Sequence, residues 1–327
     1  MLHPRPRAAR SVRRALVLVG LSSATLVAGV ASAAPVAASV HPADRVPPAA
    51  VTRAVDDGDL RALADSLRGR SGKLRARFVV PGRDLVLAAL ERVFGDSVPG
   101  NQGRTLSLVD SASRRGFAFI PLLPFELKSN GRLANYRVGF WPAEKRGARS
   151  AAYSNPEGFI EVTPENQDTY VSEHFRLRDF LTHDQEGVWP KYLVLREDLV
   201  DKLELVIADL EAHGTPVRHM VVMSGFRTPQ YNAKGVGRGG RAQDSRHQFG
   251  DAADVFIDND GNGRMDDLNR DRRVDTRDAQ VIINAVERVE RAHPDLTGGA
   301  GRYRATRAHG PFAHIDTRGT RARWGSA

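Results

Sequence analysis

The sequence predicts an α+β fold: a small, mostly β domain followed by a domain that mixes strands with helices. Three observations carry this. Short apolar or alternating runs recur between residues 74 and 163, separated by turn residues. Two later stretches carry a helical period, with Leu199, Leu203, Val206 and Leu210 in one and Ile282, Ala285, Val286 and Val289 in the other. Strand-like runs at 217–224, 255–257 and 312–317 surround those helices.

In chain order, residues 1–33 read as a secretory signal peptide. Arg5, Arg7, Arg10, Arg13 and Arg14 form a basic start, 15–30 an apolar segment, and Ala31-Ser32-Ala33 a small-x-small cleavage site. The Pro-, Ala- and Val-rich stretch 34–56 reads as a flexible linker, and 57–67 as a short helix. The β domain, 57–165, holds expected strands at 74–81, 106–110, 117–125, 136–141 and 159–162 and a helix at 85–94. It ends at the polar break Glu165-Asn166-Gln167-Asp168. The second domain, 171–327, opens on an expected helix at 173–181 and continues with the amphipathic helix 195–213, stopped by Gly214. The glycine-rich loop 234–240 has no preceding strand and no Lys-Ser/Thr, so it is not a phosphate loop. A helix at 276–293 stops at Pro294, residues 298–305 read as a loop, and 312–317 is the last expected strand.

Cysteine is absent, so neither disulfides nor thiolate metal sites are available. Any metal must be held by His and carboxylate. His247 and Asp254 lie seven residues apart, with Gly250, Ala252 and Ala253 between them, and the run Val255-Phe256-Ile257 follows as a buried strand. His314 lies far downstream. Together His247, Asp254 and His314 make three protein ligands for zinc and leave the fourth tetrahedral position for water. Period two on the last strand puts Phe312, His314 and Asp316 on one face.

The order of three pieces points further. Ser224-Gly225-Phe226-Arg227-Thr228-Pro229 is followed by Tyr231-Asn232, then by Ser245-Arg246-His247-Gln248-Phe249-Gly250-Asp251-Ala252-Ala253-Asp254, then by Phe312-Ala313-His314-Ile315-Asp316. Across 171–324 this resembles the zinc D-alanyl-D-alanine peptidases, murein carboxypeptidases and endopeptidases whose fold is shared with the hedgehog signalling domain. The resemblance implies a small antiparallel sheet with helices and an exported zinc metallopeptidase acting on peptidoglycan. It implies that Arg227 binds a substrate carboxylate through its planar fork. Ser245 either hydrogen-bonds substrate or caps the turn. Many members carry an acid or His two or three residues before the last ligand; here those positions are Phe312 and Pro311. Asp316 is the expected base, with orientation of a ligand as its alternative role, and His309 is a further candidate. A wall-binding module that has lost activity is the competing reading.

An acidic insertion, 258–278, interrupts the second domain. Asp258, Asp260, Asn262, the backbone of Arg264 and Asp266 fall at positions 1, 3, 5, 7 and 9 of a helix-loop-helix calcium loop, with Gly263 at the turn. Asn269 stands where the bidentate Glu belongs. An overlapping frame puts Asp267, Asn269, Asp271, the backbone of Arg273, Asp275 and Asp278 at positions 1, 3, 5, 7, 9 and 12 and resembles dockerin loops, with Arg272 in place of the turn Gly. One structural calcium ion is expected, or two with shared ligands.

The 327 residues allow two domains with real cores. The formal charge is +9, and the five arginines of the signal segment account for enough of it to leave +4. That balance does not argue for nucleic acid and suits an anionic cell wall. No Cys follows the signal segment to carry a lipid anchor, and no other stretch spans a bilayer, so the expected location is secreted or periplasmic.

Overall fold

The computed structural model describes residues 51–55, 67–80, 105–110, 116–237 and 240–325. The expected signal peptide, the helix at 85–94 and all but the last residue of the one at 57–67 lie outside them. Among the described residues the fold is mixed α+β, and no helix is long and apolar enough to cross a membrane.

Strands β1 (Val51–Val55), β2 (Ala76–Val79), β3 (Leu106–Asp110) and β4 (Gly116–Pro121) form a sheet in the order β1-β3-β4-β2. β1 falls in the stretch expected as linker. Its Val-Thr-Arg-Ala-Val is rich in β-branched residues but too short to stand out beside a Pro- and Ala-rich run. After it come β5 (Leu123–Pro124), the hairpin β6 (Arg132–Leu133) and β7 (Tyr136–Arg137), the short helix α1 (Pro142–Arg146), and β8 (Gly158–Val162). The expected strand at 136–141 stops early. Gly139 takes a left-handed φ of +83°, and Trp141 becomes the N-cap of α1, its amide donating to Glu144 Oε2 at 2.6 Å.

β8 pairs with β5 on one side and with β9 (Lys191–Leu193) on the other, so strand pairing crosses the polar break at 165–168. The core crosses it too. Trp141, Phe159, Phe180 and Phe226 belong to one buried cluster, and Trp141 Nε1 donates to Gln248 O at 2.7 Å. The helix expected at 173–181 is reduced to a 3-10 turn, Leu177–Phe180. Backbone groups that a helix would use are engaged elsewhere: Phe175 O accepts from Val171 N at 2.9 Å and Leu177 N donates to Thr169 O at 3.0 Å.

Helix α2 (Glu197–Ala212) then leads to β10 (Met220–Ser224), the short α3 (Pro229–Ala233), β11 (Ala252–Ile257), α4 (Thr276–Ala292), β12 (Gly299–Tyr303), β13 (Phe312–Asp316) and β14 (Ala322–Trp324). The second sheet has the order β10-β11-β13-β12-β14, antiparallel except for the parallel pair β12/β14. α2 and α4 keep their expected positions, since their apolar stripes are packed into the core at Leu199, Leu203, Val206, Ile282, Val286 and Val289. β12 corrects the expected loop at 298–305. Its glycines weaken the strand signal, yet they are needed where neighbouring groups press on the backbone.

One polar residue of α2 points inward. Lys202 is fully buried, and its Nζ donates to Glu290 Oε1 at 2.7 Å, to Leu296 O at 2.9 Å and to Asp316 O at 2.8 Å. Three donors thus meet three acceptors, which ties α2 and α4 to the end of β13. Replacing Lys202 with Met leaves a buried carboxylate and two carbonyls short of a donor. We expect a loss of about 3 kcal/mol, read as a lowered midpoint in chemical denaturation. An unchanged midpoint would mean that the lysine is a passenger.

Candidate metal centre

The register of the second sheet assembles a single row of residues across it. Ser224 of β10 pairs with Asp254 of β11, and Asp254 with His314 of β13. His314 pairs with Gly301 of β12, and Gly301 with Trp324 of β14. Two of the three expected ligands are therefore placed by strand pairing alone.

The third comes from the turn that feeds β11. Ser245 starts a 3-10 turn, Arg246–Phe249, which Gly250 ends in the left-handed conformation at φ +68°. A side chain at Gly250 would meet the backbone of Val194 and Leu195, so this position needs glycine on two counts. Arg246 is buried and clamps Asp251, and it also donates Nη1 to Ala152 O at 2.6 Å. His247, between these anchors, donates Nδ1 to Gly225 O at 2.7 Å, which leaves Nε2 as its free nitrogen.

That nitrogen lies 3.2 Å from His314 Nδ1 and 3.3 Å from Asp254 Oδ1, and the last two are 2.9 Å apart. Metal–ligand bonds of zinc length at tetrahedral angles separate neighbouring ligand atoms by about 3.3 Å. The triangle thus has nearly the size of one face of such a site. All three side chains are buried, and their donor atoms form a group able to hold a metal ion. Burial lowers the pKa of His247. Burial also works against charge on Asp254, yet the two histidines hold its carboxyl well below the usual range. At His314 burial is outweighed by hydrogen bonds to Asp254 and Asp316, and the ring is pushed up to about 8.

Asp316 does not take the position of a base. It is fully buried, and Oδ2 accepts from His314 Nε2 at 3.1 Å, on the ring nitrogen that does not face the other ligands. Arg318 grips both its oxygens, and Gly299 N donates to Oδ1 at 2.7 Å. Burial opposes its charge, but the His314 ring and the Arg318 guanidinium keep its carboxyl far below the usual range. That geometry suits a residue that orients His314 and sets its tautomer, the alternative role that the sequence left open.

Arg227 lies at the site but is not wholly free. Its Nη2 is paired with Asp254 Oδ2, and its Nε donates to Ser224 Oγ at 2.8 Å. Nη1 is the corner of the fork with no protein acceptor among the described residues. Ser245 is nearly buried; its carbonyl accepts from Gln248 N at 3.1 Å, and its hydroxyl makes no cap bond. Both residues line a cavity of about 1070 Å³ that also reaches His247, Asp254 and His314. Six arginines line it, at 149, 227, 241, 246, 304 and 318, against the acids Asp244 and Asp254. His309 is on the same wall, with Nδ1 donating to Gly310 O at 2.8 Å. Arg318, Tyr303 and Trp324 also line the cavity and carried no motif by which the sequence could single them out.

The acidic insertion divides into two halves. Asp258, Asp260 and Asp266 bring carboxylate oxygens within 4.8 Å of one another. Asn262 Oδ1 accepts from Arg264 N at 2.9 Å. The carboxylates of 267–278 form no such group among the described residues. Arg277 draws Asp271 and Asp275 to itself at 2.7 and 2.8 Å. Asp278 is saturated by the amides of Leu268, Asn269 and Asp275, while Asp267 and Asn269 accept the amide of Asp271. The two halves nonetheless repeat one backbone. Gly261 and Gly263, and nine residues on Arg270 and Arg272, all have positive φ.

Searches against protein-family models, curated proteins and solved structures gave no match for this chain.

If Asp316 orients His314, Asp316→Asn should weaken metal affinity by about 10- to 100-fold without removing the site. Competition with a chromogenic chelator measures this, and unchanged affinity would return Asp316 to the list of candidate bases.

Proposed function

We propose that the chain is an exported zinc hydrolase that cuts peptide bonds in peptidoglycan, of the D-alanyl-D-alanine carboxypeptidase or murein endopeptidase kind. The observation that carries this reading is the converging triangle of His247 Nε2, Asp254 Oδ1 and His314 Nδ1 on a cavity wall. The donor set fits zinc: two imidazole nitrogens, His314 giving up its Nδ1 proton when the metal binds, and a carboxylate, each held by a further partner. Gly225 O and Asp316 orient the rings, and Arg227 holds the second oxygen of Asp254. Zinc held by these residues would lower the pKa of a water molecule and polarise the scissile carbonyl.

The chain's own residues do the rest. Arg227 Nη1 and the other cavity arginines draw in and orient a peptide rich in carboxylates. His309, with its Nδ1 committed to Gly310 O, keeps Nε2 for the proton of the attacking water. The water oxygen bonds to the carbonyl carbon, the C–N bond breaks, and the proton passes to the leaving amine. The loop at Asp258 takes one calcium ion through Asp258, Asp260, Asn262, the Arg264 carbonyl and Asp266, and stiffens the end of β11.

Digestion of purified sacculi, read by the masses of released fragments, tests the reading. The zinc-loaded protein should hold about one zinc per chain and release muropeptides, and His247→Ala should release none. Binding to sacculi without cutting, at full zinc occupancy, would favour the wall-binding module. Calcium should raise the melting temperature of the wild type and not of Asp260→Ala; an equal shift in both places the ion elsewhere.

A further inference from the structure

We propose that Tyr303 is a further catalytic residue of this site: its phenol O–H, aimed by the Trp324 indole, donates a hydrogen bond to the carbonyl oxygen of the bond being cut. The inference rests on the hydrolase reading and assigns a role that none of the sequence motifs contains.

The argument begins with donors and acceptors. Trp324 Nε1 lies 2.7 Å from the Tyr303 hydroxyl. An indole N–H can only donate, so the phenol oxygen accepts there and its own proton must go elsewhere. No group among the described residues takes it. Tyr303 lines the cavity and keeps 38% of its surface exposed, in a molecule whose other tyrosines are mostly more enclosed. The result is a hydroxyl of fixed position with one unassigned donor, on the wall of a site that handles carbonyl oxygens.

The second strand of the argument is how firmly that hydroxyl is held. The Tyr303 ring stacks on Phe312, centroids 4.6 Å apart and planes within 4°, because β12/β13 register sets the two residues opposite each other. The Trp324 ring lies 5.1 Å from the His314 ring and under the Arg318 guanidinium, 5.4 Å away. Arg318 in turn holds Asp316, which holds His314 Nε2. The aromatic pair is therefore built into the frame that orients a metal ligand. Gly301 makes this possible. A Cβ there would run into Nε1, Cε2 and Cδ1 of Trp324, so only glycine lets the indole lie across β12. A surface tryptophan with no task would not require a bare backbone beneath it.

Tyr303 keeps its proton throughout. Its contribution is a fixed dipole where negative charge grows on oxygen, which acts mainly on the rate rather than on binding of the ground state.

The test uses the full zinc-loaded protein and soluble muropeptides prepared from sacculi. Tyr303→Phe keeps the stack on Phe312 and loses only the hydroxyl. It should lower kcat about 100-fold with KM little changed and zinc content equal to wild type. Trp324→Phe keeps an aromatic ring but removes the N–H, and should give a smaller fall of about tenfold. Affinity for a phosphinate peptide, whose oxygen stands where the carbonyl oxygen would be, should drop in Tyr303→Phe by the factor lost from kcat/KM. Wild-type kcat and phosphinate affinity in Tyr303→Phe, with the wild type cutting, would overturn this inference alone. A fall in kcat that only tracks lost zinc would overturn it too. If wild type and His247→Ala are equally unable to cut, the hydrolase reading fails and takes this one with it.

Discussion

The site depends on one register. β11 and β13 run antiparallel with Asp254 directly opposite His314, and each of these strands is flanked by another that extends the same row. Side chains alternate along a strand, so a slip of one residue would turn Asp254 and His314 to the helix-covered face and bring Ala253 and Ile315 out. Those alternate residues are fully buried in the same core cluster as the apolar stripes of α2 and α4, and the apolar face is therefore what locks the polar one. The convergence of the three donor atoms is a by-product of core packing. The small residues Ala253, Ala300 and Ala313 on that opposite face are fully buried as well.

A second pattern is electrostatic. Three aspartates around the histidines are each clamped by an arginine: Asp254 by Arg227, Asp251 by Arg246 and Asp316 by Arg318. Each carboxylate is nearly or fully buried, and an unpaired buried charge would cost several kcal/mol. The pairs do different work. Arg246–Asp251 closes the turn that presents His247, and Arg318–Asp316 holds the back of His314. Arg227–Asp254 leaves one carboxylate oxygen for the histidines' side of the site. Three of the six cavity arginines are spent on these acids and Arg149 faces Asp244, so the excess positive charge on the wall rests on Arg241 and Arg304, and it favours an anionic guest.

Much of this was legible in the sequence, and what was not has physical causes. His247, Asp254 and His314 carry their chemistry openly, and both long helices announce themselves by period. The role of Asp316 was not decidable, because a sequence does not say which nitrogen of His314 faces the ligand group. The strand 299–303 was hidden by its own adaptation. Gly299 and Gly301 are there because Asp316, Arg318 and Trp324 press on the backbone, and glycine reads as a loop wherever its neighbours are unknown. Tyr303 and Trp324 were invisible for the same reason: their pairing exists only through β12, 21 residues apart in the chain. The helix expected at 173–181 failed where bridging to residues elsewhere in the chain outcompeted local propensity.

The acidic insertion is bound into the same frame rather than hung from it. Asp258 N donates to His219 O at 3.0 Å and Asp266 N to Ile257 O at 2.9 Å, so the loop closes on the strands it leaves. Asn259 bridges Arg218 N and Pro216 O, and Met265 is buried in the core. Its far end runs into α4 through a capping box, in which Asp275 accepts from Arg277 N and Asp278 from Asp275 N. The chain from Asp254 to α4 is thus anchored at each end, and α4 packs on the back of β12 and β13. Any ion that tightens the Asp258 loop acts on both the strand bearing Asp254 and the helix behind His314. None of the loop's residues lines the cavity, so it bears on the three donor atoms through the backbone it anchors and not through a side chain that reaches them.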